Sequence, residues 1–224
     1  MKSIFPLICA GALAFTACAK EAANPSLYYQ GHASVRITTA ENKIIYVDPF
    51  AGDGYDLAAD LILVTHGHMD HNKVDLIQMR NDGCRIITHE DAVIDGQHQS
   101  FDLGYVKIDA VEAYNKNHKI ENCVGFILTF SNGIQIYLSG DTSTTNQMAS
   151  LKDRNIDYAF FCCDGTYNMN ITEAAECARL VGAKHNTPYH MPHDKESPFD
   201  KSFAETFAVD GLFIVEPGSS VELK

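Results

Sequence analysis

Residues 59–71 read "ADLILVTHGHMDH". The first half is an apolar, branched run; the second half crowds three histidines and an aspartate into six positions, in a chain with only ten histidines. An unbroken apolar run of this length predicts a strand over 61–65 that is buried on both faces. In extended backbone the side chains alternate, so His66 and His68 point the same way. Asp70 and His71 follow the turn out of the strand and aim at a second point nearby. Gly67 leaves room for the close backbone approach that a crowded site needs. Imidazole with carboxylate suits a divalent transition metal, zinc first, with manganese or iron as alternatives. The end of a buried strand is also where α/β proteins place their ligand sites.

Outward from this stretch the chain reads as strands first. "SVRITTAENKIIYVDPF" (34–50) gives two β-rich runs around Glu41-Asn42, and "CRIITHED" (84–91) and "GYVKIDAVEAY" (104–114) give more. "CVGFILTFSNGIQIYLSGDT" (123–142) is a hairpin turning at Ser131-Asn132-Gly133. "NIDYAFFCCDG" (155–165) is a second buried strand, and "LFIVEPGSSVEL" (212–223) is a strand, a Pro-Gly break and a strand. Helices are expected over 73–80, over 142–152 with a Ser/Thr cap, and within 197–207. The best helix spans 170–183, capped by Thr172 and ended by Gly182. No repeat or internal linker interrupts the pattern. The fold class is α/β, with two sheets covered by helices.

With 224 residues, 46% of them apolar, the chain can bury one good core. Its net charge of −12 argues against nucleic acid as a partner. Residues 1–17 read as a signal peptide: Lys2, an apolar run and then small residues. "FTAC" (15–18) resembles a lipoprotein processing site, with Phe15 in place of the usual Leu. Cys18 would then carry lipid and anchor the protein to a membrane of the cell envelope. The competing reading is simple secretion after "ALA" (12–14). Residues 18–26 would form a tether and 27–224 the domain. Outside the signal region the cysteines are odd in number and lack CxxC spacing, so no disulfide framework is expected. Cys162 and Cys163 read as buried small hydrophobes.

"THGHMDH" resembles the signature of the metallo-β-lactamase superfamily. "GHASVRI", "KIIYVDPF", "GIQIYLSGDTS", "CCDGTYNMN" and "TPYHM" resemble the branch that contains ascorbate-6-phosphate lactonase-like proteins. The resemblance implies an αββα sandwich with two divalent metal ions at one edge. It carries His66 and His68 over as ligands of the first metal, and Asp70 and His71 as ligands of the second. Asp141 becomes the bridging carboxylate and His190 the last ligand of the second metal. The third histidine of the first metal is His118, with His89 and His98 as competitors. Asp48 would orient a ligand histidine through its other ring nitrogen. His32 matches a position near the site, and Asn115 and Tyr167 are candidates for substrate contact. His185 and His193 read as surface or rim residues, with His193 within reach of substrate.

The function this implies is an exported metal-dependent hydrolase of a small-molecule ester or lactone. A hydroxide bridging the metals would attack the carbonyl, with Asp70 and Asp141 as the catalytic carboxylates. No G-x-S-x-G offers a serine nucleophile. The alternatives are a phosphodiesterase and, in another class, a non-catalytic metal-binding protein. Among the segments expected at the mouth the cations are Lys116 and Lys119, a thin clamp for phosphate. Oligomeric state is not legible.

Overall fold

A computed structural model describes residues 23–192 and 199–224. The first sheet is built from β1 (Ser26–Gly31), β2 (Ser34–Thr38), β3 (Ile44–Val47), β4 (Ala59–Val64) and β5 (Arg80–Thr88). A four-residue helix, α1 (His89–Ala92), follows β5, and β6 (Val93–Ile94) pairs with β7 (Gln97–His98) in a small hairpin. The second sheet takes β8 (Ser100–Asp102), β9 (Val106–Glu112), β10 (Val124–Phe130) and β11 (Gln135–Leu138). After α2 (Met148–Leu151) come β12 (Tyr158–Cys162), α3 (Ile171–Val181), β13 (His185–Tyr189) and α4 (Lys201–Ala204). The last strand, β14 (Ser219–Glu222), returns to the first sheet. The six-stranded sheets run β14-β1-β2-β3-β4-β5 and β13-β12-β11-β10-β9-β8.

The two sheets pack face to face over one core. Leu61 and Leu63 of β4 point into it, against residues such as Phe126 and Leu128 of the second sheet. Ile62 and Val64 point outward into a smaller cluster with Tyr46 and Ile77. This explains the unbroken apolar run: every residue of β4 is buried, and its apolar side chains are divided between the two clusters. On the second sheet α3 supplies the cover, burying Ala174, Ala175, Cys177, Ala178 and Val181. Cys162 and Cys163 are buried free thiols, as their apolar context predicts.

Four expectations change. The helix expected over 73–80 is a single 3-10 turn, Val74–Leu76, without a side-chain cap. Ile77 is its one deeply buried apolar neighbour, so no helical stripe exists to pay for more turns. Over 142–152 only α2 is helical, and it has no side-chain cap. Its expected cap residues are engaged elsewhere: the Thr142 hydroxyl bonds the Tyr114 carbonyl and the Thr144 hydroxyl bonds Glu173. Helix α3 is capped by Asn170, which accepts from the N–H groups of Thr172 and Glu173, while Gly182 ends it at φ 67° as expected. Near the C-terminus only β14 is a strand; Leu212 makes one isolated bridge to Asn186.

The parallel pairs matter most for function. β3, β4 and β5 run parallel, as do β11, β12 and β13. Their C-terminal ends therefore open on one edge of the sandwich. Asp48, Thr65-His66, Asp141, Asp164 and His190 all lie within three residues of those ends. The two sheets are clasped there: His66 bridges Cys123, and the Val124 N–H donates to the Thr65 carbonyl. Gly140 makes the clasp possible. It sits at φ 62°, and a Cβ there would stand 2.4 Å from the Val124 carbonyl oxygen. Gly140→Ala should therefore cost ~2–4 kcal/mol and lower the urea midpoint of unfolding, whereas Gly133→Ala, with open space around its Cβ, should cost far less.

Candidate metal centre

Asp141 ends the segment after β11 with a carboxylate that is only 3% exposed. Four imidazoles surround it, two per oxygen. Oδ2 lies 3.9 Å from His66 Nε2 and 3.5 Å from His118 Nε2. Oδ1 lies 3.3 Å from His71 Nε2 and 3.4 Å from His190 Nε2. His68 completes the first side, its Nδ1 3.2 Å from His118 Nε2. On the second side Asp70 Oδ2 is 3.3 Å from His32 Nε2, and the His32 ring lies 3.7 Å from that of His190. Three groups follow in which the ligand atoms all lie within 4.8 Å of one another: His66, His68 and His118; His66, His71 and Asp141; and His32, Asp70, His71 and His190.

The donors are held from behind. Asp48, just past β3, accepts from the Thr65 N–H at 2.7 Å, the Thr65 hydroxyl at 2.7 Å and His71 Nδ1 at 2.8 Å. Thr65 Oγ1 in turn lies 3.0 Å from His66 Nδ1. One buried carboxylate thus fixes two imidazoles, one directly and one through a hydroxyl, turning both Nε2 atoms toward Asp141. Asn115 does the same for His118, with Oδ1 3.0 Å from Nδ1. Backbone strain accompanies the arrangement: His32, Asp48 and His190 adopt φ of 53°, 46° and 45°.

The residues fit a metal. His66 Nε2, His71 Nε2, His190 Nε2 and Asp141 Oδ1 are buried and without a hydrogen-bond partner among the described residues. Polar atoms in that state are expensive unless an ion satisfies them. Burial, then the neighbouring His71, pushes the His66 pKa down to about 2, and burial likewise lowers that of His118. Both are neutral, as ligands must be. Burial alone would raise Asp141, but His190 and His71 hold it well below the usual carboxylate range. Burial would lower His71 and His190, yet the facing Asp141 outweighs it and raises both. The centre thus calls for positive charge, and a cation that enters must displace protons.

The other expected residues separate clearly. Thr88 closes a capping box over α1, so His89 opens that helix and joins none of the three groups. His98 lies in β7, and His185 stacks on Tyr158 at the start of β13. His193 and Cys18 lie outside the described residues. The close approach expected at Gly67 is not seen among protein atoms, since a Cβ there would meet only His89, at 3.7 Å. Tyr167 is exposed and lines a cavity of about 310 Å³ with His68, Asp70, Asn117, His118, Asp141 and His190. Asn115 is not among those lining residues; its amide faces His118 and the 167–168 backbone and side chain instead. Thr65 and Asp164 escaped the sequence reading. Each sits beside a strand end in a parallel pair, the one signal that marks them.

Residues 26–214 match the family model described as the Beta-lactamase superfamily domain. The chain belongs to that superfamily. A UPF0173 metal-dependent hydrolase of Geobacillus sp. (strain WCH70) is 32% identical, over 87% of this chain and 98% of its own length. Among solved structures, one from Parabacteroides distasonis, described as a candidate metal-dependent hydrolase, is 30% identical with a TM-score of 0.67, covering 84% of this chain and 91% of that one. The metallo hydrolase Igni18 from Ignicoccus hospitalis shares the fold, with a TM-score of 0.69 at 19% identity over 90% and 99% of the two chains. The chain is thus a metal-dependent hydrolase of the metallo-β-lactamase fold. Because His118 faces Asp141 and His89 does not, His118→Ala should lower the metal content found by elemental analysis, whereas His89→Ala should leave it at the wild-type level. The reverse result would reassign the third histidine.

Proposed function

We propose that the centre holds two divalent metal ions, zinc first, and hydrolyses a neutral ester or lactone. One observation carries the count: the two oxygens of Asp141 face different pairs of imidazoles, as a carboxylate between two ions would. His66, His68 and His118 would hold one ion; Asp70, His71 and His190 would hold the other, with His32 against Asp70 and His190. When bound, such a pair depresses the pKa of water and polarises the carbonyl under attack.

The chain's own residues supply the rest. Asp141 is too buried to exchange protons with solvent and serves as a fixed negative charge. Asp70 is different: its side chain is 41% exposed and lines the cavity. The His32 hydrogen bond holds the Asp70 carboxyl below its usual range, so it is ionised at neutral pH. Lining the cavity, its carboxylate can hold the attacking water and relay its proton to the departing alkoxide. Tyr167 offers an aromatic wall and Asn117 an amide to orient the substrate.

The substrate class follows from charge. No Lys or Arg is among the residues lining the cavity at Asp141. A phosphodiester would bring negative charge beyond the reach of the ions and needs a cation to meet it. Lys119 lines the two adjoining cavities, which keeps a phosphodiesterase as the second reading. Turnover of a lactone panel on metal-loaded protein should exceed that of bis-(p-nitrophenyl) phosphate in kcat/KM. Faster phosphodiester cleavage, lost in Lys119→Ala, would overturn the substrate class. Tight metal binding with no turnover of either would overturn both substrate readings.

We also propose export with a lipid anchor, supported by the "FTAC" site at 15–18. Among the described residues no helix is long and apolar enough to cross a membrane; lipid on Cys18 would be the attachment in this proposal. Full-length protein expressed in a bacterium should sediment with membranes and Cys18→Ser should abolish lipidation, both read by fractionation and intact mass. A mature N-terminus at Phe15 would establish simple secretion instead.

A further inference from the structure

The loop between β12 and α3 begins with Asp164, which is 7% exposed and lies across from the back of His190. Its Oδ1 accepts from the N–H groups of Thr166 and Tyr167, each at 2.7 Å, and closes the loop on itself. Its Oδ2 stands 3.6 Å from His190 Nδ1, a buried nitrogen without a hydrogen-bond partner among the described residues. The same Oδ2 accepts from Asn168 Nδ2 at 2.6 Å. Asn168 Oδ1 then accepts from Asn115 Nδ2 at 2.9 Å, and Asn115 Oδ1 meets His118 Nδ1 at 3.0 Å. Asn115 and Asn117 also donate to the Tyr167 carbonyl, at 3.1 and 2.7 Å.

These bonds form a line from Asp164 through Asn168 and Asn115 to His118, and the Asp164 carboxylate faces His190 Nδ1 across 3.6 Å at its other end. Those two histidines face opposite oxygens of Asp141. We propose that Asp164 and Asn168 are positioning residues: this short loop sets the imidazoles on both sides of the centre from behind, and holds their spacing across Asp141. Neither residue touches the cavity at Asp141. Each link has a fixed polarity. The Asp164 carboxylate can only accept, so Asn168 presents its NH2 to it and its oxygen to Asn115. Asn115 must then turn its own oxygen toward His118, which leaves His118 Nε2 bare toward Asp141. At the other end His190 stands between two carboxylates, Asp141 3.4 Å from Nε2 and Asp164 3.6 Å from Nδ1; the Asp164 charge favours a proton on Nδ1 and so frees Nε2 for an ion. One chain of amides and a carboxylate thus biases the proton positions of two imidazoles, one on the loop between β9 and β10 and one just past β13.

The role rests on the metal-binding reading of the centre, and Asp164→Asn separates the two. Asparagine keeps the oxygen that closes the loop but sets an NH2 against Asn168 Nδ2 and His190 Nδ1, donor against donor. The apo variant should unfold within a few degrees of wild type. Its affinity for zinc, by competition with a chromophoric chelator, should fall at least tenfold. The visible spectrum of the cobalt-loaded form should shift. In metal-free protein, at a pH high enough for His190 to be neutral, 15N imidazole spectra should show a larger Nδ1–H fraction on His190 in wild type than in the variant. Asn168→Ala should shift both His118 and His190, and serves in place of Asp164→Asn should that variant not fold. Unchanged zinc affinity, cobalt spectrum and tautomers in either folded variant would overturn the positioning role. If wild type binds one ion or none, the two-metal reading fails, yet the imidazole spectra still decide the role of the loop.

Discussion

A carboxylate buried among four imidazoles governs this molecule. Asp141 is almost wholly buried at the floor of the cavity, and a bare charge in that position would cost several kcal/mol. Protons shared with His71 and His190 relieve part of the cost, which is why burial fails to lower those two imidazoles. A cation relieves it better. The surrounding architecture works to keep the imidazoles in place for that exchange. Parallel strands deliver the donors to one edge, the His66–Cys123 bridge clasps the sheets there, and left-handed backbone at three residues re-aims the chain.

Support for the donors is shared rather than assigned one to one. Asp48 serves His71 and, through Thr65, His66. Asn115 serves His118 and Asp164 faces His190. Asp48 and Asp164 come from different strand ends than the histidines they face, whereas Asn115 shares a loop with His118 and Thr65 adjoins His66. Loss of one support loosens a donor without removing it, which differs chemically from loss of the donor itself.

Much of this was legible in the sequence because it is local. β4 announced itself by its apolar run, and the histidine cluster lies in one short stretch after it. The hairpin at 131–133 and the end of α3 at Gly182 also follow from neighbouring residues. Where two local options competed, reading was weaker. Asn170 and Thr172 both can cap a helix, and only the chain's exit from β12 decides for Asn170. The run at 73–80 has apolar residues at nearly helical spacing, yet only Ile77 finds a deeply buried place for its side chain. What was not legible is non-local. His32 meets Asp70 across 38 positions, and Asn115 meets Asn168 across 53. No pattern within a segment encodes such pairs, because they arise only once the strands are ordered in their sheets.

The left-handed backbone at His32, Asp48 and His190 limits which alphabets of donors this fold can host. Glycine, asparagine, aspartate and, less easily, histidine tolerate that conformation, whereas β-branched residues resist it and longer acids gain nothing there. Converting the centre to prefer a harder ion would ordinarily mean exchanging imidazole for carboxylate. At position 190 the backbone admits aspartate far more readily than glutamate, and aspartate is too short to reach where the Nε2 of His190 now stands. The strand ends would have to draw closer before the chemistry could change. The set of side chains this edge can present is therefore written partly in its torsion angles, and an attempt to change it by substitution alone works against the main chain.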